Sequence, residues 1–172
     1  ATCFLWTSSY FAGTKSGISE EVIASFGSLI FAGLMIGRII SGIVSNKAGD
    51  RLLIRAGFII ELFGIILIII PASNYYYAAA GFIISGCGMG PVYPAIQHMA
   101  PVNFGKKYSA SVIGLQMASA YTGTTFMPMI FGHLQQIFGI FIMPYYVLLF
   151  SLLNIFFLEV TFKAVDKNFE EK

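Results

Sequence analysis

The sequence predicts an all-α membrane protein folded as a bundle of six transmembrane helices. Hydrophobic residues make up 57% of the 172 residues, and charged residues only 10%. A soluble domain carries about 25% charged residues, so this chain has too little polar surface to cover a globule in water. Several runs have the length of about 20 residues that crosses a bilayer, and they contain few charges.

The apolar runs divide the chain into six predicted helices. They fall near residues 1–14, 19–45, 52–71, 74–99, 108–136 and 139–162. The first run is short for a span and the chain opens at Ala1, so we expect a fragment whose first helix is truncated. Residues 1–163 are then predicted to form one six-helix bundle, and residues 164–172 a cytoplasmic tail.

Positive charges predict how the helices are oriented. Lys47, Arg51 and Arg55 flank the second connection, Lys106 and Lys107 fill the fourth, and Lys163, Lys167 and Lys172 follow the last helix. If the six helices alternate in direction, these three regions share one side of the membrane, while Lys15 lies alone on the other. The positive-inside rule makes the basic side cytoplasmic, together with the carboxyl terminus.

Small residues at four-residue spacing predict which helices pack closely, because helices in lipid associate through close packing. Such residues recur in the second, fourth and fifth helices: Gly33, Gly37 and Ser41; Gly86, Gly90 and Pro94; Ala110, Gly114, Ala118 and Thr122. The third and sixth helices carry bulky side chains. We therefore expect the former three inside the bundle and the latter two against lipid. The alternative is that glycine is simply common in membrane helices.

The second connection carries a patterned, charged loop. It reads Gly42-x-x-x-Asn46-Lys47-x-Gly49-Asp50-Arg51, and Arg38 precedes it by about two turns inside the second helix. The loop resembles the motif Gly-x-x-x-Asp-Arg/Lys-x-Gly-Arg-Arg/Lys of the major facilitator superfamily, with Asn46 and Asp50 as departures. In that superfamily the motif follows the second helix of each half, and its later copy is degraded. The resemblance therefore implies a carboxyl-terminal half.

The charged loop is a candidate gating element. A charge cluster that forms in one conformation and breaks in the other would bias an equilibrium between them, and Gly49 permits the tight turn. The alternative is that the basic residues of the loop only fix the topology. That alternative does not explain Arg38, which lies inside the second predicted helix, where a charge is costly and therefore indicates a function.

Two further stretches resemble fucose-permease-like members of the superfamily. They are Gly86-Cys-Gly-Met-Gly-Pro91-Val-Tyr93-Pro94 and Phe104-Gly105-Lys106-Lys107-x-Ser109-Ala110-Ser111-x-x-Gly114-Leu115-Gln116. The resemblance implies two three-helix inverted repeats in this half and an amino-terminal six-helix half as partner. It implies a sugar substrate, proton symport and a bacterial plasma membrane, with the proton-coupling carboxylates in the other half. The alternatives are export of amphipathic compounds by the same fold, and a membrane assembly protein without a transport cycle.

Polar and aromatic side chains inside the spans are the candidates for substrate binding. They are Trp6, Ser9, Tyr10, Tyr93, Gln97, Gln116 and Tyr121. Amides and hydroxyls in lipid need partners, so we expect them to face a wet cavity, where rings and amides suit a sugar. Tyr93 and Gln97 share a helix face because they are four residues apart. Packing between helices and an interfacial aromatic belt are the alternatives.

Glu61 is the one acidic residue deep inside an apolar run. A carboxylate inside a membrane is a candidate proton carrier or cation partner. Against this, the third helix is predicted to be peripheral, which favours a structural pairing or a protonated carboxyl. Five further residues are expected to interrupt the fourth and fifth helices with kinks: Gly86, Gly90, Pro91, Pro94 and Pro128.

The sequence contains no pattern typical of an enzyme. His98 and His133 lie on different predicted helices, and neither has a cysteine or carboxylate at metal-ligand spacing. We therefore expect no catalytic residue, metal site, cofactor or nucleic-acid partner.

Overall fold

A computed structural model describes residues 2–14, 19–70 and 75–170, and every regular element in these ranges is helical. The helices are α1 (Thr2–Thr14), α2 (Glu20–Phe26), α3 (Leu29–Ala48), α4 (Asp50–Ile69), α5 (Tyr75–Phe138) and α6 (Met143–Glu170). A short 3-10 helix, Ile140–Ile142, precedes α6. The all-α class is therefore confirmed. Lys15 and Lys172 lie outside the described residues.

Two predicted boundaries differ from the structure. The second predicted helix is divided into α2 and α3 by a turn at Gly27 and Ser28. The fourth and fifth predicted helices are two helices in the structure as well, but both extend to a sharp break at Gly105, where φ is 74° and ψ is 160°, and together they make up α5. Glycine reaches this backbone conformation readily because it has no Cβ. We call residues 75–104 the first limb of α5 and residues 106–138 its second limb.

Within residues 2–14, 19–70 and 75–170, four segments are long and apolar enough to cross a membrane: Glu20–Ser45, Asp50–Ile69, Tyr75–Gly105 and Ile140–Lys167. The 13 residues of α1 rise only about 20 Å, against about 30 Å of hydrocarbon. The second limb is long enough, but its amides and hydroxyls lower its mean hydropathy. The structure therefore supports a membrane bundle, and the count of six spans stays a prediction.

Glycines bring the backbone of α3 against the first limb of α5. A methyl group placed on Gly33 would lie 2.0 Å from the carbonyl oxygen of Ile83, and one on Gly37 would lie 2.1 Å from that of Cys87. In the reverse direction, a methyl group on Gly86 would lie 2.2 Å from the carbonyl oxygen of Ile30. The predicted close packing of the second and fourth helices is confirmed.

The third predicted helix also packs through glycines, which the sequence-based prediction missed. A methyl group on Gly57 of α4 would lie 2.6 Å from the carbonyl oxygen of Gly88. One on Gly64 would lie 2.4 Å from the backbone nitrogen of Ser85. One face of α4 is therefore buried against the first limb, while side chains such as Ile59, which is 67% exposed, face outward.

The predicted close packing of the fifth helix is wrong for the described residues. Ala110, Gly114, Ala118 and Thr122 are all exposed, and nothing lies within 4 Å of a methyl group placed on Gly114. Among the side chains described in the second limb, only Pro128 and Phe131 are buried. The limb is therefore held at its far end, and its stripe of small residues has no partner in the described part of the chain.

The predicted kink residues do not interrupt α5. Its backbone is helical at Gly86, Gly90, Pro91, Pro94 and Pro128, and Gly105 is the residue with non-helical dihedral angles. Gly86 and Gly90 serve instead as contact points with α3, where a methyl group would lie within 3 Å of its backbone. A bend without a break at these residues stays a prediction.

Candidate functional site

A cavity of about 430 Å³ lies among α1, α3, α4, both limbs of α5 and α6. We call it the central cavity. Its lining residues are Thr2, Cys3, Phe4, Ile30, Glu61, Met89, Tyr93, Ala120, Gly123, Thr124, Met127, Tyr146, Val147, Phe150, Ser151 and Asn154. They combine apolar surface with a few hydroxyl, amide and carboxyl groups, as small-molecule sites do.

Glu61 is the one formally charged side chain among these lining residues. It is only 4% exposed, and the Ser151 hydroxyl on α6 donates a hydrogen bond of 2.8 Å to its Oε1. A methyl group on Gly88 would lie 2.4 Å from the Glu61 backbone nitrogen, so α4 is held tightly against α5 at this point. The outward face of α4 is exposed, whereas this carboxyl group borders the cavity.

Tyr93 and Gln97 form the polar pair that their spacing predicts. The Gln97 Nε2 atom donates a hydrogen bond of 2.8 Å to the Tyr93 hydroxyl. Tyr93 lines the central cavity and is 41% exposed, so its ring and hydroxyl are accessible. Among the substrate-site candidates, Tyr93 is the one that lines the cavity, and Gln97 is joined to it by this hydrogen bond.

Gln116 lies in a different place. It lines a separate cavity of about 260 Å³ among α4, both limbs of α5 and α6, together with Ile54, Phe104 and Phe162. Its Oε1 atom is buried and has no hydrogen-bond partner among the described residues. Gln116 therefore does not join Tyr93 and Gln97 in one site.

The other four substrate-site candidates do not line the central cavity. Tyr10 is 7% exposed, and its hydroxyl donates a hydrogen bond of 3.2 Å to the Ile68 carbonyl oxygen, so it joins α1 to α4. Trp6 packs edge-on against Phe131 at 5.5 Å between ring centroids. Ser9 and Tyr121 are exposed, away from the cavity. Trp6 and Tyr10 thus contact neighbouring helices, and their part in substrate binding stays a prediction.

The charged loop lies beside two ion pairs that link α4 to α6. Arg51 binds both carboxylate oxygens of Asp166, at 2.9 and 2.6 Å, and Arg55 binds both of Glu159, at 2.7 and 2.8 Å. The Phe162 ring lies between them, 5.0 Å from the Arg51 guanidinium and 5.7 Å from that of Arg55. Bidentate geometry of this kind fixes orientation as well as distance. We call these five residues the α4–α6 clamp.

Asp50, one of the two departures from the loop motif, has a partner on another helix. Its Oδ2 atom lies 2.7 Å from Nδ1 of His98 on α5. Asp50 and His98 line a cleft of about 460 Å³ that Arg38 also lines. Within this cleft the carboxylate of Asp50 pairs with His98 and not with Arg38. Gly49 supplies the turn before Asp50 with a φ of 73°. The side chain of Asn46, the other departure, lies outside the described part of the chain.

These contacts bring the three basic regions to one end of the bundle, as the alternation of helices predicts. Arg51 follows the second connection, Asp166 lies near the end of the chain, and Phe104 precedes the fourth connection. Arg51 contacts Asp166, and Phe104 shares a cavity with Phe162. In the segment that the sequence predicts as a tail, residues 164–170 continue α6 as a helix that ends at Glu170. Which side of the membrane this end faces stays a prediction.

The α4–α6 clamp is expected to contribute a small, salt-sensitive stabilisation. Because the side chains of Arg55 and Glu159 are exposed to solvent, a double-mutant cycle with Arg55→Ala and Glu159→Ala should give a small favourable coupling energy that falls as the salt concentration rises. The measurement is thermal unfolding in detergent at low and high salt. A control cycle of Arg55 with Asp166, which does not pair with it, should give a smaller value. Equal values in both cycles would contradict the pairing.

The fold and the cavity define a class of protein. Apolar helices long enough to span a bilayer enclose a cavity with a few polar groups, as in integral membrane transporters. The chain belongs to the Major Facilitator Superfamily, whose family model matches residues 2–172. No curated protein and no solved structure matches it significantly. Members of this superfamily are transporters rather than enzymes, and they carry small molecules across a lipid bilayer.

Proposed function

We propose that this chain is the carboxyl-terminal half of a secondary transporter that moves a sugar by proton symport through alternating access. The observation that carries the proposal is Tyr93, which lines the central cavity and whose hydroxyl accepts a hydrogen bond from Gln97. A phenol ring can stack on the C–H face of a sugar, and the amide and hydroxyl can bind its hydroxyl groups. The cavity volume of about 430 Å³ lies within the usual range for small-molecule sites, about 300–1,000 Å³.

The exposed faces of α3 and the second limb favour an amino-terminal six-helix half as partner. Met35, Ile39 and Ile43 on α3 are 66%, 60% and 74% exposed, and Leu115 and Tyr121 on the second limb are 70% and 71% exposed. In the proposed transporter these faces meet the other half, which also supplies the proton-coupling carboxylates. The end with the basic residues faces the cytoplasm of a bacterial cell, as the positive-inside rule implies.

The charged loop is proposed to bias the transport cycle. It comprises Arg38, Gly42, Asn46, Lys47, Gly49, Asp50 and Arg51. The contact of Asp50 with His98 and that of Arg51 with Asp166 join α4 to two neighbouring helices. A conformation in which these contacts form would be favoured over one in which they break.

Substitution of the polar pair is expected to weaken sugar transport. Gln97→Ala removes the amide that donates a hydrogen bond to the Tyr93 hydroxyl and so orients it, and the KM for the transported sugar should rise about tenfold, with little change in protein abundance. The measurement is proton-driven uptake of a sugar panel by the full-length transporter in proteoliposomes. Gln136→Ala is the control, because Gln136 is exposed and far along the second limb. Unchanged uptake by Gln97→Ala would contradict the proposed site.

Export of amphipathic compounds is the second candidate function. The observation that favours it is the apolar part of the cavity lining, which includes Phe4, Met89 and Phe150. The same proteoliposomes distinguish the candidates: accumulation of lipophilic dyes without sugar uptake would favour export. Movement of no solute would favour a membrane assembly protein.

A further inference from the structure

We propose that the substrate is a cationic sugar, an amino sugar whose ammonium group pairs with Glu61 while its hydroxyl groups meet Tyr93. The inference rests on the proposed sugar transport and names the substrate class of the same cavity. It gives Glu61 the role of a substrate-binding residue. Proton coupling then belongs to carboxylates elsewhere in the transporter.

The first argument is the charge of the central cavity. Glu61 lines it, and no lysine, arginine or histidine is among its described lining residues. The carboxyl group is buried and receives one described hydrogen bond, from Ser151. A carboxylate out of water is strongly disfavoured unless a positive group or a proton neutralises it. The cavity is thus complementary to a ligand with one positive charge.

The second argument is that Glu61 is fixed at the cavity wall. The backbones of α4 and α5 approach closely at Gly57 and Gly88, so the backbone of Glu61 lies against the first limb of α5. Ser151 on α6 orients the carboxyl group from the other side. A binding group held by two neighbouring helices is preorganised, and preorganisation reduces the ordering cost of binding.

The third argument is that one ligand can reach both polar parts of the cavity. Tyr93 on the first limb and Glu61 on α4 line the same space, and aromatic rings of Tyr146 and Phe150 border it. Rings near an ammonium group add a cation–π attraction. A neutral sugar would fill the volume and bind Tyr93, but it would leave the Glu61 carboxylate without a positive partner.

The test compares three sugars of similar size that differ in charge. Binding of glucosamine, N-acetylglucosamine and glucose to the full-length transporter in lipid nanodiscs is measured by calorimetry at neutral pH. Wild-type protein should bind glucosamine roughly thirtyfold or more tightly than the two neutral sugars, because only glucosamine supplies an ion-pair partner. Glu61→Gln should remove that preference and bind all three alike.

Two variants control the experiment. Glu20→Gln neutralises an exposed carboxylate in the first turn of α2, so it should leave the preference for glucosamine unchanged. Glu61→Asp keeps the charge and withdraws it by one methylene, so the preference should persist at lower affinity. This variant carries the test if Glu61→Gln does not fold.

The outcomes separate this inference from the proposed function. Equal binding of the charged and neutral sugars by wild-type protein would overturn the inference, and would indicate that a proton neutralises Glu61. A glucosamine preference that survives Glu61→Gln would also overturn it, since another group would then bind the ammonium. Binding of none of the three sugars would instead overturn the proposed sugar transport itself.

Discussion

Gly33→Ala is expected to separate α3 from the first limb of α5 and to lower the stability of the bundle by about 1–3 kcal/mol. The added methyl group would lie 2.0 Å from the Ile83 carbonyl oxygen and 2.8 Å from the Ile83 carbonyl carbon. Neither atom belongs to a side chain that could move aside, so the two helix backbones must separate. Loss of this contact also removes the close approach through which helices associate in lipid.

The matched control is Gly114→Ala in the second limb of α5. Its methyl group meets nothing within 4 Å in the described part of this chain, so as far as packing within this chain is concerned the substitution should be neutral or stabilise the helix by up to about 1 kcal/mol. Thermal unfolding of the full-length transporter in detergent, followed by size-exclusion chromatography, measures both variants. If Gly33→Ala and Gly114→Ala unfold at the same temperature, the backbone contact between α3 and α5 does not exist.

Four-residue spacing of small residues was a sound guide to one contact and a poor guide to another. The spacing of Gly33 and Gly37 matches that of Gly86 and Gly90, and these pairs meet. Gly114 has the same spacing with its neighbours and meets nothing. A small-residue stripe predicts that a helix can approach a partner closely, but the partner is chosen by the whole fold.

The glycine face of α4 was missed for a physical reason. Gly57 and Gly64 are seven residues apart, two helical turns, and Glu61 lies between them on the same face. Bulky residues dominate the other faces of this helix, so its overall composition favoured lipid. The pattern was present in the sequence, but only a search at seven-residue spacing would have found it.

The partners of charged groups could be predicted only in part. An in-span carboxylate is visible in the sequence, so Glu61 was identified, but its hydrogen bond from Ser151 joins residues ninety positions apart. The α4–α6 clamp has a detectable signal: Arg51 and Arg55 are one turn apart on α4, and Glu159 and Asp166 are two turns apart on α6. The spacing within each helix predicts that the two arginines share one face and that the two carboxylates share another. Which arginine binds which carboxylate depends on how α4 and α6 cross.

The dependence on how helices pack also explains why only some of the predicted substrate-site residues reach the cavity. Tyr93 and Gln97 were predicted to share a face because that relation is local to one helix, and they do. Whether a face borders a cavity depends on neighbouring helices. Tyr10 has the same chemistry as Tyr93, yet it is buried against α4 and Phe82. Side-chain chemistry thus selects candidates, and tertiary packing decides which of them a ligand can reach.

Phe131→Ala is expected to release the far end of the second limb of α5 and to open the central cavity. Phe131 is fully buried, and its ring lies 5.5 Å from Trp6 of α1 and 5.2 Å from Tyr146 of α6. The Tyr146 hydroxyl adds a hydrogen bond of 3.0 Å to the Met127 carbonyl oxygen. Phe→Ala in a soluble core costs about 3–5 kcal/mol, and we expect about 2–3 kcal/mol here, because lipid replaces part of the hydrophobic term.

Phe126→Ala in the same limb provides the control, because Phe126 is 55% exposed and should contribute little to packing within this chain. Spin labels at Met117 and Leu153 report the distance between the second limb and α6. That distance distribution should broaden in Phe131→Ala and keep its wild-type width in Phe126→Ala. If neither variant broadens it, contacts other than Phe131 hold the limb. If both do, the limb is held along its length by the other half of the transporter, and Phe131 is not its anchor.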